Sequence, residues 1–450
     1  MHPSRAIHGR RSLLLAGRRI VLGITGSIAA VETPRIAREL IRHGAEVQAV
    51  MSPEAVRLVT PEAVHFATGR PPILGLTGDV EHVTLLGPGE GRADLLLIAP
   101  ATANSISKIA HGIDDTAVTS CASVALGGGV PVLIAPAMHA HMGANPAIRE
   151  NLERLKGWGV GIIAPQSTEG EEKLATPEEV AAAVLHRLGR GPLLGRKVVV
   201  IGGASRERID AVRSITNESS GQTAVALATQ AFYRGATTTL WAGALEVPIP
   251  EFLSSRRWAS VADLARLLRD QADELRSADV VLVPAALGDY TLSPRPGKIA
   301  SRDQPTLALT LTPAPRILPE LRRRSAPTAV LVGFKLESDR TASELAQAAR
   351  SLLEENGLDF VVANDRSVMG ASTTSALVIS RRGTRHWLTG PKAEFAGKLL
   401  DDVGRELAAK GLATPSTAAP DSPPHRRRRR VPTRRNSPRA AARRPPVRPS

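Results

Sequence analysis

The sequence predicts an α/β protein with two doubly wound parallel-sheet domains and a disordered basic tail at its C-terminus. Short apolar runs rich in valine, isoleucine and leucine alternate with amphipathic segments, a pattern typical of a parallel sheet covered by helices on both faces. The pattern stops at the Gly/Pro/Arg-rich stretch 187–196 and then starts again. The predicted divisions are a basic arm at residues 1–18, a first domain at 19–190, a second domain at 191–412 and a tail at 413–450.

Five apolar runs of the first domain are candidate strands: RRIVLGITG, AEVQAVMS, ADLLLIAPA, GVPVLIAPAM and GVGIIAP. Between the first two, SIAAVETPRIARELIRHG has apolar residues at helical spacing and ends at a glycine, which predicts a helix. In doubly wound, Rossmann-like sheets, ligands bind at the carboxyl ends of the strands. The residues that follow each run are therefore the candidate site.

The second domain repeats this order. Its candidate strands are RKVVVIGGAS, TTTLWAG, DVVLVPAAL, TAVLVGFKLES and LDFVVAND, and its candidate helices are TAVALATQAFYRGA, ADLARLLRDQADELRSA and SELAQAARSLLEENG. The polar stretch 202–221, between the first strand and the first helix, predicts a loop. Its arginines, serines and glycines favour binding of an anion such as phosphate or carboxylate.

Composition excludes several classes of protein. The sequence has no run of about eighteen apolar residues that could cross a bilayer. Its only cysteine, Cys121, excludes an intrachain disulfide and a zinc site built from several thiolates, and it fits a reducing cytoplasm. The apolar patch near the N-terminus is too short for a signal peptide, so we expect residues 1–18 to form a frayed basic arm.

The formal net charge of +15 is concentrated in the tail. From Thr414 onward the chain has eleven arginines and one acidic residue, Asp421. Such a segment binds polyanions weakly and in a salt-dependent manner. We therefore expect only non-specific contact with nucleic acid, and a nucleic-acid-binding function would rest on the tail alone.

Polar residues follow three strands of the first domain. The GITGSIAA turn offers backbone N–H groups and a helix start that suit a phosphate, and PATANSIS begins the next helix with hydrogen-bonding side chains. The loop APAMHAHM then carries two histidines and two methionines. His139 and His141 are two residues apart with no carboxylate or thiolate nearby, which makes a poor metal site.

In combination these motifs resemble the decarboxylase half of the bifunctional phosphopantothenoylcysteine decarboxylase/phosphopantothenate–cysteine ligase family of coenzyme A synthesis. The G-S-I-A-A, P-A-T-A-N and P-A-M loop motifs appear at residues 26–30, 100–104 and 136–142. The resemblance implies FMN as the cofactor and oxidation of the cysteinyl group before loss of CO₂. It implies FMN contacts from Gly26, Ser27, Ile28, Ser52, Ala101, Thr102 and Asn104, catalytic roles for His82 and His139, and substrate contacts from Met138 and Met142.

The first domain departs from that family in two places. His139 stands where most bacterial members have asparagine, as in archaeal-type members, and the clamp segment QSTEGEEKLATPEEV lacks the proton-donating cysteine. Cys121 is expected on the core face of a helix, so Lys173 or a neighbouring glutamate is the candidate donor. The alternative is an FMN-binding regulatory or scaffold protein with only one active half.

The second domain is similar to the ligase half of the same family. Residues 209–221, IDAVRSITNESSG, match its long motif except that Ala211 replaces proline, and AALGDY, KIA, VGF and AND match shorter ones. The resemblance implies that CTP activates the 4'-phosphopantothenate carboxylate as an acyl-nucleotidylate, which the amine of cysteine then captures. It implies catalytic roles for Asn217 and Lys298, substrate or nucleotide contacts from Arg213, Ala285, Ala286, Asp289, Lys298 and Phe334, and Mg²⁺ at Asp289.

The resemblance also implies an assembly. Family members form trimers with FMN between neighbouring decarboxylase domains, and their ligase domains pair as dimers. The second domain departs from the family at PRIL, where Arg316 replaces an aspartate, and in the helix ARSLLEENG, which lacks the usual lysines. These departures concern nucleotide choice more than the type of reaction.

Overall fold

The computed structural model describes residues 2–168, 171–300, 302, 306–366 and 371–411. The predicted tail at 413–450 lies outside the described residues. Two large sheets and three short antiparallel strand pairs make up the β-structure of the described chain. The N-terminal large sheet, the helices on it and the adjoining strand pair are called the first module below. Its strands are β1 (Arg19–Ile24), β2 (Glu46–Met51), β3 (Leu95–Ala101), β4 (Val132–Pro136), β5 (Gly161–Ile162), β6 (Gln166–Thr168) and β7 (Glu171–Lys173).

Strands β1 to β5 form one parallel sheet, as the apolar runs predict, and the structure gives its strand order as β2-β1-β3-β4-β5. Strands β6 and β7 form a separate antiparallel hairpin. The helices of this module are α1 (Pro3–Ala6), α2 (Thr33–Arg42), α3 (Pro53–Val56), α4 (Pro61–Thr68), α5 (Glu81–Leu86), α6 (Ala103–Ala110), α7 (Ala117–Gly128), α8 (Ala140–Gly143), α9 (Pro146–Gly157) and α10 (Pro177–Arg187), with a 3₁₀ helix at Ile28–Glu32.

Each face of the first sheet is covered by its own apolar core. Leu22 and Leu97 belong to the cluster that includes residues of α2 and α10. Val21 and Leu96, their neighbours in sequence, belong to the cluster that includes residues of α6 and α7. Because successive side chains of a strand point to opposite faces, a sheet buried on both faces needs continuous apolar runs, and this explains why the strands lack an alternating pattern.

The expectation of a frayed N-terminal arm was wrong. Leu15 is fully buried in the first core, and Ile7 is buried beside it. Backbone N–H groups of Gly9 and Leu15 donate to the carbonyls of Ile41 and His43 at the end of α2. The few apolar residues of the arm are thus enough to fix it on the module, a tertiary effect that composition alone does not reveal.

The second module repeats the architecture with a larger sheet. Its strands are β8 (Lys197–Ala204), β9 (Arg206–Arg208), β10 (Ser214–Thr216), β11 (Thr237–Ala242), β12 (Ser254–Arg257), β13 (Val280–Val283), β14 (Ala285–Ala286), β15 (Tyr290–Thr291), β16 (Thr312–Pro313), β17 (Val330–Glu337), β18 (Phe360–Asp365), β19 (Thr373–Ser380) and β20 (Arg385–Pro391). Its helices are α11 (Gln222–Tyr233), α12 (Val261–Asp270), α13 (Ala272–Ser277), α14 (Ile317–Arg324), α15 (Ala342–Glu355) and α16 (Lys392–Ala409).

The main sheet has the order β12-β11-β8-β13-β17-β18-β19-β20. It is parallel from β12 to β18, and β19 and β20 then continue it in antiparallel orientation. Neither strand was predicted from the sequence. Most of β20 is solvent-exposed or half-buried and has little apolar character, whereas β19 is largely buried and its apolar stretch ALVI was overlooked. The polar stretch 202–221, predicted as a loop, contains the short antiparallel pair β9–β10.

The two modules contact each other within one compact unit, through helices α10 and α11. Nδ1 of His186 lies 3.0 Å from the carbonyl oxygen of Phe232, and the two rings stack with centroids 4.2 Å apart. The His43 ring of the first module meets the edge of Tyr233 at 5.9 Å. Over the described ranges, the model contains no helix with the length and hydropathy needed to span a bilayer.

Candidate active sites

Hydrogen bonds join the turns at the carboxyl edge of the first sheet. The buried Thr25 hydroxyl donates to the carbonyl of Pro100 at 2.8 Å and accepts from the N–H of Thr102 at 3.0 Å, which links the ends of β1 and β3. Ser52 N–H donates to the carbonyl of Ile24, which links β2 to the same edge. The sequence analysis missed Thr25, since a threonine at a strand end carries no signal of a partner far along the chain.

Three predicted cofactor residues are helix N-caps at this edge. The hydroxyls of Ser27, Ser52 and Thr102 accept from backbone N–H groups in the first turn of the helices that follow. Within the described part of the chain, the hydroxyls of Ser27 and Ser52 donate no hydrogen bond. Their protons are free for an acceptor such as a phosphate oxygen, so the residues present fit the phosphate end of a flavin mononucleotide.

The other predicted cofactor residues differ in what they can offer. Gly26 allows α3 to approach the turn, since a Cβ there would lie 2.3 Å from the Cβ of Glu54. Ile28 leaves 75% of its side chain exposed on the 3₁₀ helix, and Asn104 is exposed on α6. Ala101 is fully buried and can contribute only its backbone. The edge therefore combines polar groups with an uncovered apolar side chain, as a flavin ring and its phosphate require.

The loop after β4 holds the second half of the first site. His139 is the N-cap of α8, and its Nδ1 accepts from the N–H of His141 at 3.3 Å. The neutral imidazole therefore carries its proton on Nε2, which is left free to donate. Met138 packs partly against the core, whereas Met142 is half exposed.

His82 lies on helix α5, which precedes β3 in the chain and packs against α7. Its Nδ1 is buried and has no hydrogen-bond partner among the residues that the structure describes. Buried polar atoms without a partner are rare in native proteins. The ring is therefore a group that a bound molecule could satisfy.

The structure limits the candidates for a proton donor. Burial raises the pKa of Cys121 to about 12, and its side chain lies in the core, so this thiol is not available. Lys173 is exposed at the end of β7, and that strand lies beside α8 of the histidine loop. Of the neighbouring glutamates, Glu169 and the side chains of Glu171 and Glu172 lie outside what the structure describes.

The second module contains a cavity of about 490 Å³. It is bounded by the start of α11, by strands β14, β17, β18 and β19, and by the start of α16. Three predicted residues, Ala285, Ala286 and Phe334, line it, as does Asn364 of the AND motif. The cavity thus has an apolar, partly aromatic wall and polar residues from the SSG end of the long motif.

Lys392 is a candidate site residue that sequence reasoning did not identify. It is the only lysine or arginine among the described residues that line the cavity, and its Nζ lies 3.0 Å from Oε1 of Gln222. Burial lowers its pKa. A nearby anion would stabilise this desolvated ammonium. No family motif used in the sequence analysis contains it, and its place at the cavity depends on the packing of α16 against α11.

Asn217 and Asp289 do not line the cavity but lie on segments that meet at its rim. The amide Nδ2 of Asn217 donates to the carbonyl of Leu287 at 2.9 Å, and the next residue, Glu218, lines the cavity. The Ser205 hydroxyl accepts from Gly288 N–H at 2.9 Å. Asp289 follows and is exposed.

A metal ion at this rim would have few protein ligands. Across the described ranges no group of three or more His, Cys, Asp or Glu side chains could hold a metal ion, so Asp289 offers a single carboxylate.

Arg213 and Lys298 lie on two neighbouring segments. The Nη1 of Arg213 donates to the Asp210 carboxylate at 2.6 Å and to the carbonyl of Ile299 at 3.1 Å, and its side chain remains 39% exposed. Lys298 is exposed. Arg316 is the N-cap of α14 and makes no side-chain cap, which the aspartate of the family motif could supply.

The family models and the relatives agree with this division. Residues 9–189 match the Flavoprotein family, and residues 193–407 match the DNA/pantothenate metabolism flavoprotein C-terminal domain. The coenzyme A biosynthesis bifunctional protein CoaBC of Thermococcus kodakarensis is 41% identical over 90% of this chain and 100% of its own length. The CoaBC of Methanocaldococcus jannaschii is 34% identical over 90% of this chain and 97% of its own. The crystal structure of a DNA/pantothenate metabolism flavoprotein from Streptococcus pneumoniae is 26% identical, with a TM-score of 0.42, over 47% of this chain and 99% of its own.

Proposed function

The chain belongs to the CoaBC family of bifunctional coenzyme A biosynthesis proteins, and we propose that each module carries one of its two reactions. The second module ligates cysteine to 4'-phosphopantothenate, and the first decarboxylates the phosphopantothenoylcysteine that results. This assignment rests on one observation. The decarboxylase-like motifs lie at the strand ends of the first sheet, and the ligase-like motifs lie at the strand ends of the second. The enzyme is thus both a ligase and a lyase.

FMN is the proposed cofactor of the first module. Matching to the Flavoprotein family supports a flavin, and the free hydroxyl protons of Ser27 and Ser52 support a phosphate at this edge. Thr102 and Asn104 would hydrogen-bond the cofactor, Gly26 and Ala101 would offer backbone, and Ile28 would cover the ring. When bound, FMN supplies a reversible two-electron oxidation that makes the bond to the carboxylate labile.

The protein's own groups hold the decarboxylase substrate and move its protons. Nε2–H of His139 would donate to the substrate carboxylate, while Met138 and Met142 form an apolar wall that keeps water away. His82 would serve as the acid–base group beside Cα and the substrate carboxylate, while the Cα–H bond itself is retained. After CO₂ leaves, the carbon needs a proton, and Lys173 is our candidate donor because β7 lies beside α8. The glutamates of the same hairpin remain alternatives.

The ligase reaction requires activation, because a carboxylate is a poor electrophile. The carboxylate oxygen of phosphopantothenate attacks the α-phosphate of CTP, pyrophosphate leaves, and the amine of cysteine then displaces CMP from the acyl carbon. We propose that Asn217 holds the acyl group and that Lys298 stabilises negative charge that develops in the transition state. Phe334 would pack on the base, Ala285 and Ala286 would line its pocket, and the exposed part of Arg213 would bind the substrate.

Mg²⁺ is proposed to enter with the nucleotide. Magnesium ions at nucleotide sites commonly use one or two carboxylates plus substrate phosphates. Asp289, a single exposed carboxylate at the rim, fits that requirement. Lys392 would contribute positive charge inside the cavity.

The direct test is to assay both reactions with purified, FMN-supplemented protein. Incubation with 4'-phosphopantothenate, cysteine, CTP and Mg²⁺ should release pyrophosphate, and CO₂ should follow in equal amount. Synthetic phosphopantothenoylcysteine should release CO₂ without CTP. Replacement of CTP by ATP measures nucleotide preference independently of the type of reaction.

The missing clamp cysteine favours one second candidate, an FMN-binding regulatory or scaffold protein in which only the ligase half is active. That protein would retain FMN and release pyrophosphate but no CO₂. The same assay therefore separates the two candidates. A chain that neither retains FMN nor consumes CTP contradicts both.

We also propose that the protein acts in the cytoplasm as a homo-oligomer with FMN at a subunit interface. Exposed apolar side chains on and near the first site support the oligomer, among them Ile28, Val31, Val80, Val83 and Met142. The cytoplasmic location is supported by a lone, buried thiol that is typical of a reducing compartment. Light scattering of the holoprotein measures the assembly, and a monomer at micromolar concentration would contradict it.

A further inference from the structure

The segment that carries Lys298 is bonded to the long motif of the second module at two points that precede the lysine. Arg295 N–H donates to the carbonyl of Ile209, and Ala211 N–H donates to the carbonyl of Gly297, each at 2.9 Å. Lys298 is therefore flanked by a residue whose backbone is already bonded to the motif. The remaining question is what fixes the backbone on its other side, at Ile299.

Asp210 fixes it. The Asp210 side chain is fully buried, and its Oδ2 accepts from the N–H of Ile299 at 3.1 Å. The same oxygen accepts from Nη1 of Arg213 at 2.6 Å, and that guanidinium donates onward to the carbonyl of Ile299 at 3.1 Å. Oδ1 accepts from the N–H groups of Val212 and Arg213, both at 2.8 Å. One buried carboxylate thus holds its own turn with one oxygen and the Lys298 segment with the other.

We propose that Asp210 is a positioning residue of the ligase site, which acts by fixing the backbone around Lys298 so that the lysine amine meets the reacting phosphate and acyl groups. The inference rests on the proposed role of Lys298. Asp210 itself touches only backbone N–H groups and Arg213, so it is not a catalytic residue. Its effect on the reaction passes through the place of another side chain.

Substitution by asparagine tests the two oxygens separately. In Asp210→Asn the amide oxygen can keep the bonds to Val212 and Arg213, but the NH₂ group then faces the Ile299 N–H and a guanidinium. Neither of these can accept a hydrogen bond. The substitution therefore releases the Lys298 segment while it keeps the local turn, at nearly constant volume.

Glu207 provides a matched control on the same region. It is also a buried carboxylate, and it accepts from Val261 N–H at 2.8 Å and from the Thr291 hydroxyl at 2.6 Å. In Glu207→Gln the hydroxyl can rotate and accept from the new NH₂ group. The same change of carboxylate to amide is therefore tolerated at Glu207 and not at Asp210.

The decisive experiment is a double-mutant cycle with Lys298→Gln, measured by pyrophosphate release in the full-length protein. Lys298→Gln should lower kcat about 10²-fold, as loss of a charge-stabilising donor does. Asp210→Asn should lower kcat by about 10- to 10²-fold with a smaller change in KM, as expected when a reacting group is misplaced. In the Lys298→Gln background Asp210→Asn should cost no more than about twofold, whereas independent losses would multiply. Glu207→Gln should stay within about twofold of wild type in either background.

Controls keep the inference separate from folding and from the proposed function. Release of CO₂ from phosphopantothenoylcysteine should be unchanged in every variant, and circular dichroism with the urea midpoint of the full-length protein reports whether the second module is folded. If Asp210→Asn does not fold, Asp210→Glu, which keeps both acceptor oxygens, should retain more ligase activity than Asp210→Ser, which keeps the turn cap but not the second oxygen. Multiplied losses in the cycle, or Asp210→Ser at least as active as Asp210→Glu, overturn the positioning role. Wild-type protein without ligase activity overturns the proposed function instead.

Discussion

The two sites differ in how their side chains are held. In the first module Ser27, Ser52 and His139 each bond to a backbone N–H within three residues of themselves. In the second module Asn217 bonds to Leu287, and Arg213 bonds to Ile299. The first site is thus organised mainly by local capping and the second mainly by contacts between distant segments. Local capping follows from a short stretch of sequence, whereas distant contacts exist only once the module is folded.

The largest expected effect tests whether the two sites act independently. His82→Asn removes the proposed acid–base group of the first module, so CO₂ release should fall by about 10²–10⁴-fold. Pyrophosphate release from the second module should stay at the wild-type rate, because no residue of α5 lines its cavity. Parallel assays of both reactions on one preparation check this. An equal fall in both rates would show that the sites are coupled, and the two sites could then not be treated as independent.

The next effect sharpens the description of the second site. Lys392→Gln should raise the KM for CTP about 10- to 10²-fold, since a hydrogen bond to a charged group is lost, while Lys392→Arg should keep most of the affinity. Because burial lowers the pKa of Lys392, the wild-type amine loses its proton at a lower pH than an ordinary lysine. The KM for CTP should therefore rise with pH in the wild type and stay flat in Lys392→Arg. A flat profile in both would contradict a charged contact.

Only part of the fold and of the two candidate sites could be predicted from the sequence alone. The parallel strands of the first sheet and the polar residues at its edge could be predicted, because buried parallel strands and N-caps have short-range signatures. Lys392, Thr25 and the Asp210 carboxylate could not be assigned roles, since each acts on a segment far away in the chain. Strands β19 and β20 were also missed. The edge strand β20 has little buried apolar surface and is held by pairing with β19, whereas β19 has a buried apolar stretch, ALVI, that sequence reasoning overlooked.

A third prediction concerns the long-range contact that Thr25 makes in the first site. Thr25→Val leaves the N–H of Thr102 without its acceptor and should lower the free energy of unfolding by about 1–3 kcal/mol. FMN retention should fall with it, because the turns of β1 and β3 are no longer joined. Thr25→Ser keeps the hydroxyl and serves as the control. Chemical denaturation and the flavin absorbance of the purified variants measure the two effects, and full FMN retention in Thr25→Val would mean that local caps suffice.

A smaller effect is expected at Cys121. With its pKa raised to about 12 by burial, the thiol should not react with iodoacetamide in the native protein at about pH 8, and it should react once the protein is unfolded. Cys121→Ser should leave CO₂ release within about twofold of wild type if the proton donor lies in the β6–β7 hairpin. Lys173→Gln is the complementary variant, and a rate loss there together with none at Cys121 would assign the donor. Rapid native labelling would contradict the buried position.

The smallest effect tests whether the two modules, so different in their sites, unfold as one. Burial at the junction, and then the Glu39 carboxylate of the first module, raise the pKa of Tyr233 to about 12 from an ordinary value near 10. An acid whose pKa is raised in the folded state adds no pH dependence below its unfolded pKa, and it costs stability as pH rises from there through the folded pKa. The wild-type urea midpoint should therefore fall between about pH 10 and pH 12 more steeply than that of Tyr233→Phe. Two probes then separate the possibilities. If flavin fluorescence from the first module and a probe on α11 both show this extra fall in the urea midpoint, the modules share one unfolding transition through this junction. If only the α11 probe responds, the comparison between the sites extends to stability, because each module then unfolds on its own.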